Sequence, residues 1–394
     1  MKKTDNNIKR LYIVKNMAPW MVAEIEEITA VCSFSLVLLR KQDEKYRDVL
    51  NKLAKEGVVI LDKPYKGFSA RRFLFGLFFL ARHIEFLWGV KNAVFSYKSV
   101  IWFARIDISL FKSEKISIHS QFATQATIVG FLLKKYVGNS IEYSFTTHAH
   151  DIFFKNRWLP VLANESVCMI TISEYNKKYI EDKYDLDINK VKVNYLGVNR
   201  SNLPESVKYV KRYVFGFISW MVEKKGLMNL LEAVRLLVEG GNNNFKLIVA
   251  GSGPLENKAK NFVCQHSITD YVDFIGAVYG DAKIDFYRSI DVLVMPSIDT
   301  GRDKDGIPVV LMEAVSYGLP LICSDVSGLP EICIHEFNGV LYSSNDVNKL
   351  AMGMNKFILS SDICLAYSIN ALIVSEKFDI IINTNSKMKS INWN

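Results

Sequence analysis

The sequence predicts an α/β protein of two domains, each a doubly wound parallel sheet covered by helices. Short apolar runs alternate with charged or amphipathic segments of helical length along most of the chain, which is typical of repeated strand–helix units. The length of 394 residues is enough for two domains that each bury a core. A polar stretch near residues 200–212, which contains Pro204, has the composition of a hinge between them.

The composition fits a folded protein of a reducing compartment. Apolar residues make up 49% of the chain and aromatic residues 12%, which excludes a disordered protein. The six cysteines are scattered, with no pair at metal-ligand spacing, so we expect reduced cytoplasmic thiols. The polar start, MKKTDNNIKR, leads into a short strand, and we therefore expect no secretion signal.

Charge is distributed unevenly along the chain. Residues 1–200 contain 31 basic and 20 acidic side chains, a net charge of +11, whereas the remainder has a net charge of −3. This asymmetry indicates that the first half meets an anionic partner. No zinc motif, helix-turn-helix pattern or RNA-binding signature is present in the sequence, so we expect no nucleic acid and favour anionic lipid.

The first domain follows the strand–helix pattern with one interruption. Apolar runs predict its strands at 11–14, 35–39, 57–61, 116–120, 142–146, 168–173 and 191–196. Helices are predicted at 21–28 and 43–55, and His119, inside a strand, is predicted to be a buried and hydrogen-bonded histidine without a catalytic role.

The interruption, at residues 65–105, mixes aromatic and basic residues. The nine apolar residues from Phe73 to Ala81 lie between Arg71-Arg72 and Arg82, and they are too few to span a bilayer, which takes about 20. The mixture continues through Trp88, Lys91, Tyr97, Lys98, Trp102 and Arg105. It predicts a surface that binds an anionic membrane; the alternative is a buried helix flanked by solvated arginines.

The second domain is predicted to begin with a strand at 213–219, followed by the loop Trp220–Gly226. Further strands are predicted at 246–250, 272–276 and 292–295, with a glycine turn at Gly251–Pro254 and a helix near 284–289.

Residues 305–331, DGIPVVLMEAVSYGLPLICSDVSGLPE, contain the most informative stretch. Pro308 stands where a first helical turn would begin, and Gly318-Leu319-Pro320 ends the helix. A strand, a polar loop and the N-terminus of a helix form an anion site at the carboxyl end of a parallel sheet. Asp305 and Glu313, with seven residues between them, are expected to border one pocket.

These motifs resemble those of the family-four retaining glycosyltransferases (glycosyltransferase group 1, GT-B fold), particularly polysaccharide-biosynthesis enzymes. That family has two acidic residues at this spacing around Gly-x-Pro. The resemblance implies that Asp305, usually Glu, is a catalytic residue that contacts the donor sugar, and that Glu313 contacts the ribose of the nucleotide. It also implies that the donor is bound by Gly253, Gly306, Ile307, Pro308 and Val309.

Two further motifs carry the resemblance. The family's His-Gly-x-Asp loop corresponds to His148 and Asp151, with Ala149 for the glycine. This implies a catalytic His148, bonded to a donor hydroxyl or near the anomeric carbon, and a donor-binding Asp151. The alternative reading, a metal site that also includes His150, is disfavoured because a strand-end loop offers no fixed ligand face, so no metal or other cofactor is expected.

The diphosphate motif is incomplete. In the family an arginine and a lysine neutralise the donor diphosphate. Lys225 matches the lysine and is implied to be catalytic, whereas Trp220 stands at the arginine position, and an indole supplies no fixed positive charge.

The resemblance implies two Rossmann-like domains facing across a cleft: an acceptor-binding domain at 1–205 and a nucleotide-sugar-binding domain at 206–370. A segment at 371–394 would cross back to the first domain as a C-terminal helix. The predicted function is retaining transfer of a sugar from a nucleotide-diphosphate sugar to a glycan or lipid-linked acceptor. The product would be a cell-surface polysaccharide such as lipopolysaccharide or capsule, made by a cytoplasmic protein held peripherally at the inner face of the cell membrane.

Two alternatives remain open from the sequence. Trp220 favours a catalytically weak or inactive GT-B binding protein of a polysaccharide-assembly complex. A nucleotide-sugar epimerase on the same fold would need acid–base carboxylates and no sugar acceptor, and the order of the motifs disfavours it.

Overall fold

The computed structural model describes residues 8–62, 65–111, 115–200, 213–301, 304 and 306–393. The chain divides into two compact units, one formed by Met1–Gly197 with Ile380–Asn394 and the other by Val198–Asp379. From the sequence, divisions are expected after residues 205 and 370, and the first of these lies outside the described residues.

The first unit is built on a sheet of seven parallel strands. The strands are β1 (Ile8–Val14), β2 (Ser35–Leu38), β3 (Val59–Asp62), β4 (Lys115–Gln121), β5 (Ile141–Thr147), β6 (Met169–Thr171) and β7 (Val191–Val193). Their spatial order is β3-β2-β1-β4-β5-β6-β7. The helices between them are α1 (Pro19–Val31), α2 (Arg47–Lys55), α3 (Ala70–Arg82), α4 (Val90–Arg105), α5 (Gln125–Val137), α6 (Ala149–Phe153), α7 (Leu159–Glu165) and α8 (Glu174–Lys183).

Both faces of this sheet are buried, as a doubly wound sheet requires. Side chains alternate along β1: Leu11 and Ile13 belong to one apolar cluster, whereas Tyr12 and Val14 belong to the cluster on the other face. The central strands therefore hold their side chains and their carboxyl ends in fixed positions.

The second unit has a sheet of six parallel strands. The strands are β8 (Tyr213–Ile218), β9 (Phe245–Ala250), β10 (Val272–Gly276), β11 (Val292–Met295), β12 (Leu321–Ser324) and β13 (Gly339–Tyr342). Its α-helices are α9 (Leu227–Glu239), α10 (Glu256–Gln265), α11 (Asp281–Ser289), α12 (Val309–Ser316), α13 (Val347–Leu359) and α14 (Ser361–Ser375).

The strand order of the second sheet is β10-β9-β8-β11-β12-β13. The chain adds strands on one side of β8 and then continues on the other side with β11. A parallel sheet of this order binds ligands outside the carboxyl ends of the two strands at which the direction reverses. The corresponding point in the first unit lies between β1 and β4.

The last helix, α15 (Ile380–Ser390), belongs to the first unit, as the predicted fold requires. It packs beside α1, and Met388, Ile391 and Trp393 join the apolar cluster on that face of the first sheet. The Trp393 indole N–H donates to Ser117 Oγ at 2.7 Å. The chain therefore returns to its first unit after completing the second.

Helices α3 and α4 each bury one face and expose the other. They approach closely where Gly76 meets Val100, since a Cβ at Gly76 would lie 2.8 Å from Val100 Cγ1. The opposite faces form what we call the α3–α4 face, with exposed Arg71, Leu74, Phe78, Arg82, Trp88, Val90, Lys91, Val94, Tyr97 and Lys98. The apolar run at 73–81 is therefore partly buried and partly exposed. It is not the fully buried helix of one sequence-based alternative, and its exposed side chains form a surface, as the other alternative requires.

Within the described ranges, no single helix is long and apolar enough to cross a membrane. The helical segments Val347–Leu359 and Ser361–Phe378 reach that length and composition only together, and they are bent by 104° at their junction.

Candidate functional site

Loops from four neighbouring strands of the second sheet are joined at its carboxyl edge. The Met221 N–H donates to the Ser252 carbonyl at 2.7 Å, which joins the loops after β8 and β9. The Ile298 N–H donates to the Lys224 carbonyl at 2.9 Å, which joins the loops after β11 and β8. The loop after β12 is tied in through Ser324 Oγ, which donates to the carbonyl of residue 297 at 2.5 Å. The candidate donor site therefore surrounds the reversal point of this sheet.

Two glycines allow these loops to come so close. Gly226 has a φ of 68°, and a Cβ there would lie 1.7 Å from the Pro296 carbonyl oxygen. Gly253, one of the predicted donor-binding residues, has a φ of 148°, and its Cβ would lie 2.7 Å from Met221 N. Any other residue at either position would strain the backbone and push the loops apart.

Helix α12 begins at the same edge, one residue later than predicted. Pro308 is the N-cap, with φ −64° and ψ 134°, so the first helical residue is Val309 and not Pro308. The pyrrolidine ring of Pro308 fixes φ at a value that suits both an N-cap and a first helical residue. The extended ψ makes Pro308 the N-cap. The first amides of α12 have no carbonyl one turn earlier in the helix, which makes this end suitable for an anion.

The predicted site residues from Asp305 to Val309 differ in what they can offer a ligand. Asp305 lies outside the described residues. Gly306 and Val309 are partly exposed, whereas the Ile307 side chain is 3% exposed and packs against Gly328. Ile307 can therefore contact a ligand only through its main chain.

Glu313, on α12, is bonded to two residues of α11. Its Oε1 accepts from Lys283 Nζ at 2.6 Å, and its Oε2 accepts from the Tyr287 hydroxyl at 2.7 Å. Burial, followed by the Glu313 charge, holds the pKa of Tyr287 well above its usual value, so the phenol keeps its proton. A carboxylate has about four acceptor positions, so both oxygens retain capacity for ribose hydroxyls.

Cationic side chains stand at this edge together with the exposed indole of Trp220. Lys225 is partly exposed and lies in a 3₁₀ turn after β8. Lys304, in the loop after β11, pairs with Asp299 at 2.7 Å and thereby lowers the pKa of that carboxyl. Trp220 itself is 58% exposed, so its indole is not a core side chain.

In the first unit, His148 and Asp151 meet at the carboxyl end of β5. They do not lie in an open loop, as predicted, but at the start of the five-residue helix α6, with His148 as its N-cap. Asp151 Oδ2 accepts from the backbone N–H groups of His148 and Ala123, both at 3.0 Å. These bonds bring the polar backbone into a helical turn, which the isolated sequence did not indicate. Burial raises the pKa of Asp151 to about 7.

The His148 ring is held on two faces and at Nε2, and its side chain also takes part in the capping box of α6, in which it accepts from the backbone N–H of Asp151. Its centroid lies 4.9 Å from that of Trp20 and 4.5 Å from that of Phe122, and Nε2 lies 3.0 Å from Gln121 Oε1. Phe122 has a φ of 70°, which is rare for a bulky residue and costs on the order of 1–3 kcal/mol. Burial, together with the Lys387 charge, lowers the pKa of His148 to about 3, so the imidazole is neutral.

His119 is buried and hydrogen-bonded, as predicted. Its ring nitrogens lie 2.9 Å from Ser144 Oγ and 3.1 Å from Thr146 Oγ1. Burial holds its pKa well below the usual value.

Three residues at these sites were not predicted from the sequence: Lys283, Tyr287 and Gln121. The first two are spaced by one helical turn on α11, which indicates one face of that helix, but the sequence does not indicate that this face meets Glu313. Gln121 is the last residue of β4, and its contact with His148 depends on the pairing of β4 with β5.

No group of three or more His, Cys, Asp or Glu side chains among the described residues is arranged to hold a metal ion. Asp305 is not among those residues.

Comparison with known proteins gives a consistent result. Residues 199–372 match the family "Glycosyl transferases group 1". An uncharacterized glycosyltransferase of Methanocaldococcus jannaschii, MJ1607, is 28% identical over 207 residues, which are 49% of this chain and 51% of that protein. The amylovoran biosynthesis glycosyltransferase AmsK of Erwinia amylovora is 33% identical over 135 residues, 34% of this chain and 33% of that protein. The chain thus spans about half of the first relative's length and a third of the second's.

The fold has close counterparts among solved structures. The crystal structure of Anabaena Alr3699/HepE in complex with UDP superimposes with a TM-score of 0.72 and 15% sequence identity, covering 98% of this chain and 99% of that one. At this identity the likeness concerns the fold.

Proposed function

We propose that this chain, whose residues 199–372 match the group 1 glycosyltransferases, is a retaining enzyme of the GT-B fold acting in cell-surface polysaccharide synthesis. It moves a sugar from a nucleotide-diphosphate sugar to a glycan or lipid-linked acceptor. The observation that carries this proposal is the carboxyl edge of the second sheet, where Gly226, Gly253, the N-terminus of α12 and Glu313 are assembled. The likeness to AmsK, an amylovoran biosynthesis enzyme, supports a polysaccharide product.

The second unit holds the donor. The α12 amides and Lys225 face the diphosphate, and Glu313 accepts hydrogen bonds from the ribose. Lys283 and the Tyr287 hydroxyl fix the orientation of the Glu313 carboxylate, so less side-chain entropy is lost when the nucleotide binds.

The reaction depends mainly on stabilising the departing diphosphate. Negative charge grows on the leaving group in the transition state, and Lys225 with the helix amides meets that charge. The acceptor attacks from the face that the diphosphate leaves, so the configuration at the anomeric carbon is retained without an enzyme nucleophile. Asp305 and His148 contact the transferred sugar, and no metal ion is required.

The acceptor binds to the first unit, where Lys15 follows β1 and Arg40 follows the neighbouring strand β2. Gln42 holds the loops after β1 and β2 together: its Nε2 donates to the carbonyls of Lys15 and Arg40 at 3.1 and 2.6 Å. Burial and the charges of Arg40 and Lys98 lower the pKa of Lys15, because these cations lie close together. Such a group suits an acceptor that carries phosphate, as a lipid-linked glycan does.

The α3–α4 face suits an anionic membrane surface. Leu74 and Phe78 are exposed one turn apart on α3, between the exposed Arg71 and Arg82. Apolar side chains that enter the headgroup region and cations that meet anionic lipid are the two components of interfacial binding. We place the protein in the cytoplasm, peripherally at the inner face of the cell membrane, where a lipid-linked acceptor is available.

Trp220 favours a second candidate function, a GT-B protein that binds sugars or nucleotides without efficient catalysis. The indole occupies the position where the family has arginine, and because it is exposed it does not pack in the hydrophobic core.

A panel of UDP- and GDP-sugars tests the proposal. Calorimetry should identify one donor nucleotide, and labelled donor incubated with lipid-linked glycans should give a product whose anomeric configuration matches that of the donor by NMR. EDTA should leave the rate unchanged. Binding without transfer or hydrolysis would support the second candidate, and an inverted product would refute the retaining mechanism.

A further inference from the structure

A cavity of about 330 Å³ lies in the first unit, where the N-terminus of α3 meets the chain that follows α4. It is lined by residues 66–69 and 72 on one side and by residues 106–109 on the other. This volume is at the lower end of the range for ligand pockets, about 300–1,000 Å³. The lining residues lie outside the candidate donor site and outside the cationic group at Lys15 and Arg40.

Hydrogen bonds fix the two walls of this cavity relative to each other. The Ser69 N–H donates to the Ala104 carbonyl at 2.9 Å. Arg72 adds two more bonds, because its Nη2 donates to the Ala104 and Ile106 carbonyls at 2.9 and 2.7 Å. These carbonyls stand at the C-terminal end of α4, where a helix has no partners of its own for them. The cavity is therefore formed before any ligand binds.

Arg72 is a buried cation whose charge is only partly compensated. The residue is 8% exposed, and the bonds of Nη2 to the two carbonyls are the only hydrogen bonds of its guanidinium within the described residues. Its Nε is enclosed and has no acceptor. Burying a charge is costly unless the charge is paired. An anion bound in the cavity would supply the counter-charge that neutral carbonyls do not.

The charged side chains of the lining are two cations and one carboxylate: Lys66, Arg72 and Asp107. Lys66 Nζ lies 3.9 Å from Asp107 Oδ2, which is too far for a hydrogen bond, so the ammonium can donate to a ligand. Asp107 Oδ1 accepts from the hydroxyl and the backbone N–H of Ser109 at 2.7 and 3.0 Å. These bonds, followed by the charges of Lys66 and Arg72, lower the pKa of Asp107. The carboxylate is therefore ionised, and the lining has a net charge that one monoanion balances.

We propose that this cavity binds a phosphodiester group, held by the guanidinium of Arg72 and the ammonium of Lys66. A phosphodiester is a monoanion, so its charge balances that of the lining. Arginine offers phosphate a planar set of donors, and lysine acts as a point charge. Ser69 Oγ accepts from the Arg72 backbone N–H at 3.4 Å, which leaves its own proton to donate to the ligand. The N-terminus of α3 adds a dipole that favours an anion.

The surroundings of the cavity indicate a lipid headgroup as the source of the phosphodiester. Phe68, in the lining, is 57% exposed, and the exposed Arg71 and Leu74 follow it at the start of the α3–α4 face. An acyl chain beside Phe68 and Leu74 would leave water as its headgroup enters the cavity. The site requires no sugar donor, so this inference goes beyond the proposed transfer and does not depend on it.

The water-soluble headgroup glycerophosphoglycerol tests binding without a membrane. Ile106 and Ile108 line the cavity, so their methyl signals in NMR spectra of isoleucine-labelled protein report on its occupation. Ile106→Val and Ile108→Val assign the two signals. Titration should shift both with one dissociation constant, whereas glycerol should leave them unchanged. The absence of a saturable shift would overturn the proposal.

Substitution of the two cations tests their roles. Lys66→Gln, at an exposed position, should raise the Kd of glycerophosphoglycerol about tenfold, because a charge-assisted contact is lost. Lys55→Gln, at an exposed position of α2, is the matched control and should leave the Kd unchanged. Arg72→Gln should raise the Kd further and also lower the Tm, because a bond to the α4 carbonyls is lost. Lys66→Gln decides the matter if that variant does not fold, and a wild-type Kd for Lys66→Gln would overturn the proposal.

Vesicles distinguish a lipid from a soluble phosphodiester. Phosphatidylcholine vesicles that contain phosphatidylglycerol are compared with ones that contain oleate at the same surface charge, because oleate is an anion without phosphate. The wild type should bind the phosphatidylglycerol vesicles more tightly, Lys66→Gln should lose this preference, and Lys55→Gln should keep it. Binding of glycerophosphoglycerol without a vesicle preference would assign the cavity to a soluble phosphodiester. Neither binding nor preference would overturn the proposal, whatever the outcome of the sugar-transfer assays.

Discussion

Replacing Glu313 by alanine should weaken nucleotide binding far more than it weakens the fold. The proposed role of this carboxylate is to accept hydrogen bonds from the ribose, and a hydrogen bond to a charged group contributes about 1.5–3 kcal/mol. The Kd of the donor nucleotide should therefore rise about 10- to 150-fold. Turnover at saturating donor should change less, because the ribose contact is present in both the ground state and the transition state.

The contacts of Glu313 set the cost to stability. Its removal leaves the Tyr287 hydroxyl with the Val310 carbonyl, 3.3 Å away, as an acceptor. Lys283, whose side chain is 28% exposed, can turn to water. We therefore expect a loss of about 1–2 kcal/mol, which lowers the Tm by about 2–4 °C per kcal/mol.

Glu336 provides a matched control within the same unit. It accepts from Lys356 at 2.6 Å and from the Tyr367 hydroxyl at 2.7 Å, the same pair of partner types as Glu313 has. It lies just before β13, at the amino edge of the sheet, away from the loops of the candidate donor site. Glu336→Ala should thus lower the Tm similarly and leave the nucleotide Kd unchanged.

Isothermal titration calorimetry with the nucleotide diphosphate identified by the panel measures both variants at one temperature. An unchanged Kd for Glu313→Ala would refute the ribose assignment. An equal rise in Kd for both variants would show that the loss arises from destabilisation of the unit.

The other contacts of the two units lead to four further predictions. Lys225→Ala should lower kcat more than donor affinity, because charge on the diphosphate grows in the transition state; a large loss of affinity with kcat preserved would make Lys225 a ground-state anchor. Trp220→Arg should stabilise the transition state by about 1–2 kcal/mol, or about 5- to 30-fold in rate. The Tm should not change, because the position is exposed. Lower activity at an unchanged Tm would mean that the indole itself contacts the donor. The protein should float with anionic vesicles, less so as salt screens charges over about 8 Å, and Leu74→Glu with Phe78→Glu should abolish flotation; equal flotation on neutral vesicles would reject the electrostatic part. Asp151→Asn should gain stability relative to wild type as the pH rises from about 4 to 7, by up to about 1.4 kcal/mol per pH unit. In the wild type the folded state, with a pKa of about 7 at Asp151, keeps a proton that the unfolded chain has released, so the wild type loses stability over this range. Parallel pH profiles of the two proteins in urea unfolding would contradict this.

Much of the fold could be predicted from local pattern. The apolar run Val292–Met295 is the strand β11, and the helix expected before Gly318 is α12. Such runs are short and bounded by glycine, proline or charge, so hydrophobic periodicity indicates them without knowledge of their neighbours. The order of the motifs further placed Gly253 and Glu313 on one sheet edge, because successive parallel strands end at the same edge.

The partners of the site residues depended on tertiary structure. Glu313 meets Lys283, 30 residues away, only because α11 and α12 lie beside each other, and Lys387 meets Glu24 across 363 residues. Sequence spacing reports which residues share a helix face or a strand face, but it carries no information about which faces come together. That choice is made by packing of the whole unit, in which the apolar residues of α15 cover the same face of the first sheet as α1 and thereby bring a lysine to a buried carboxylate.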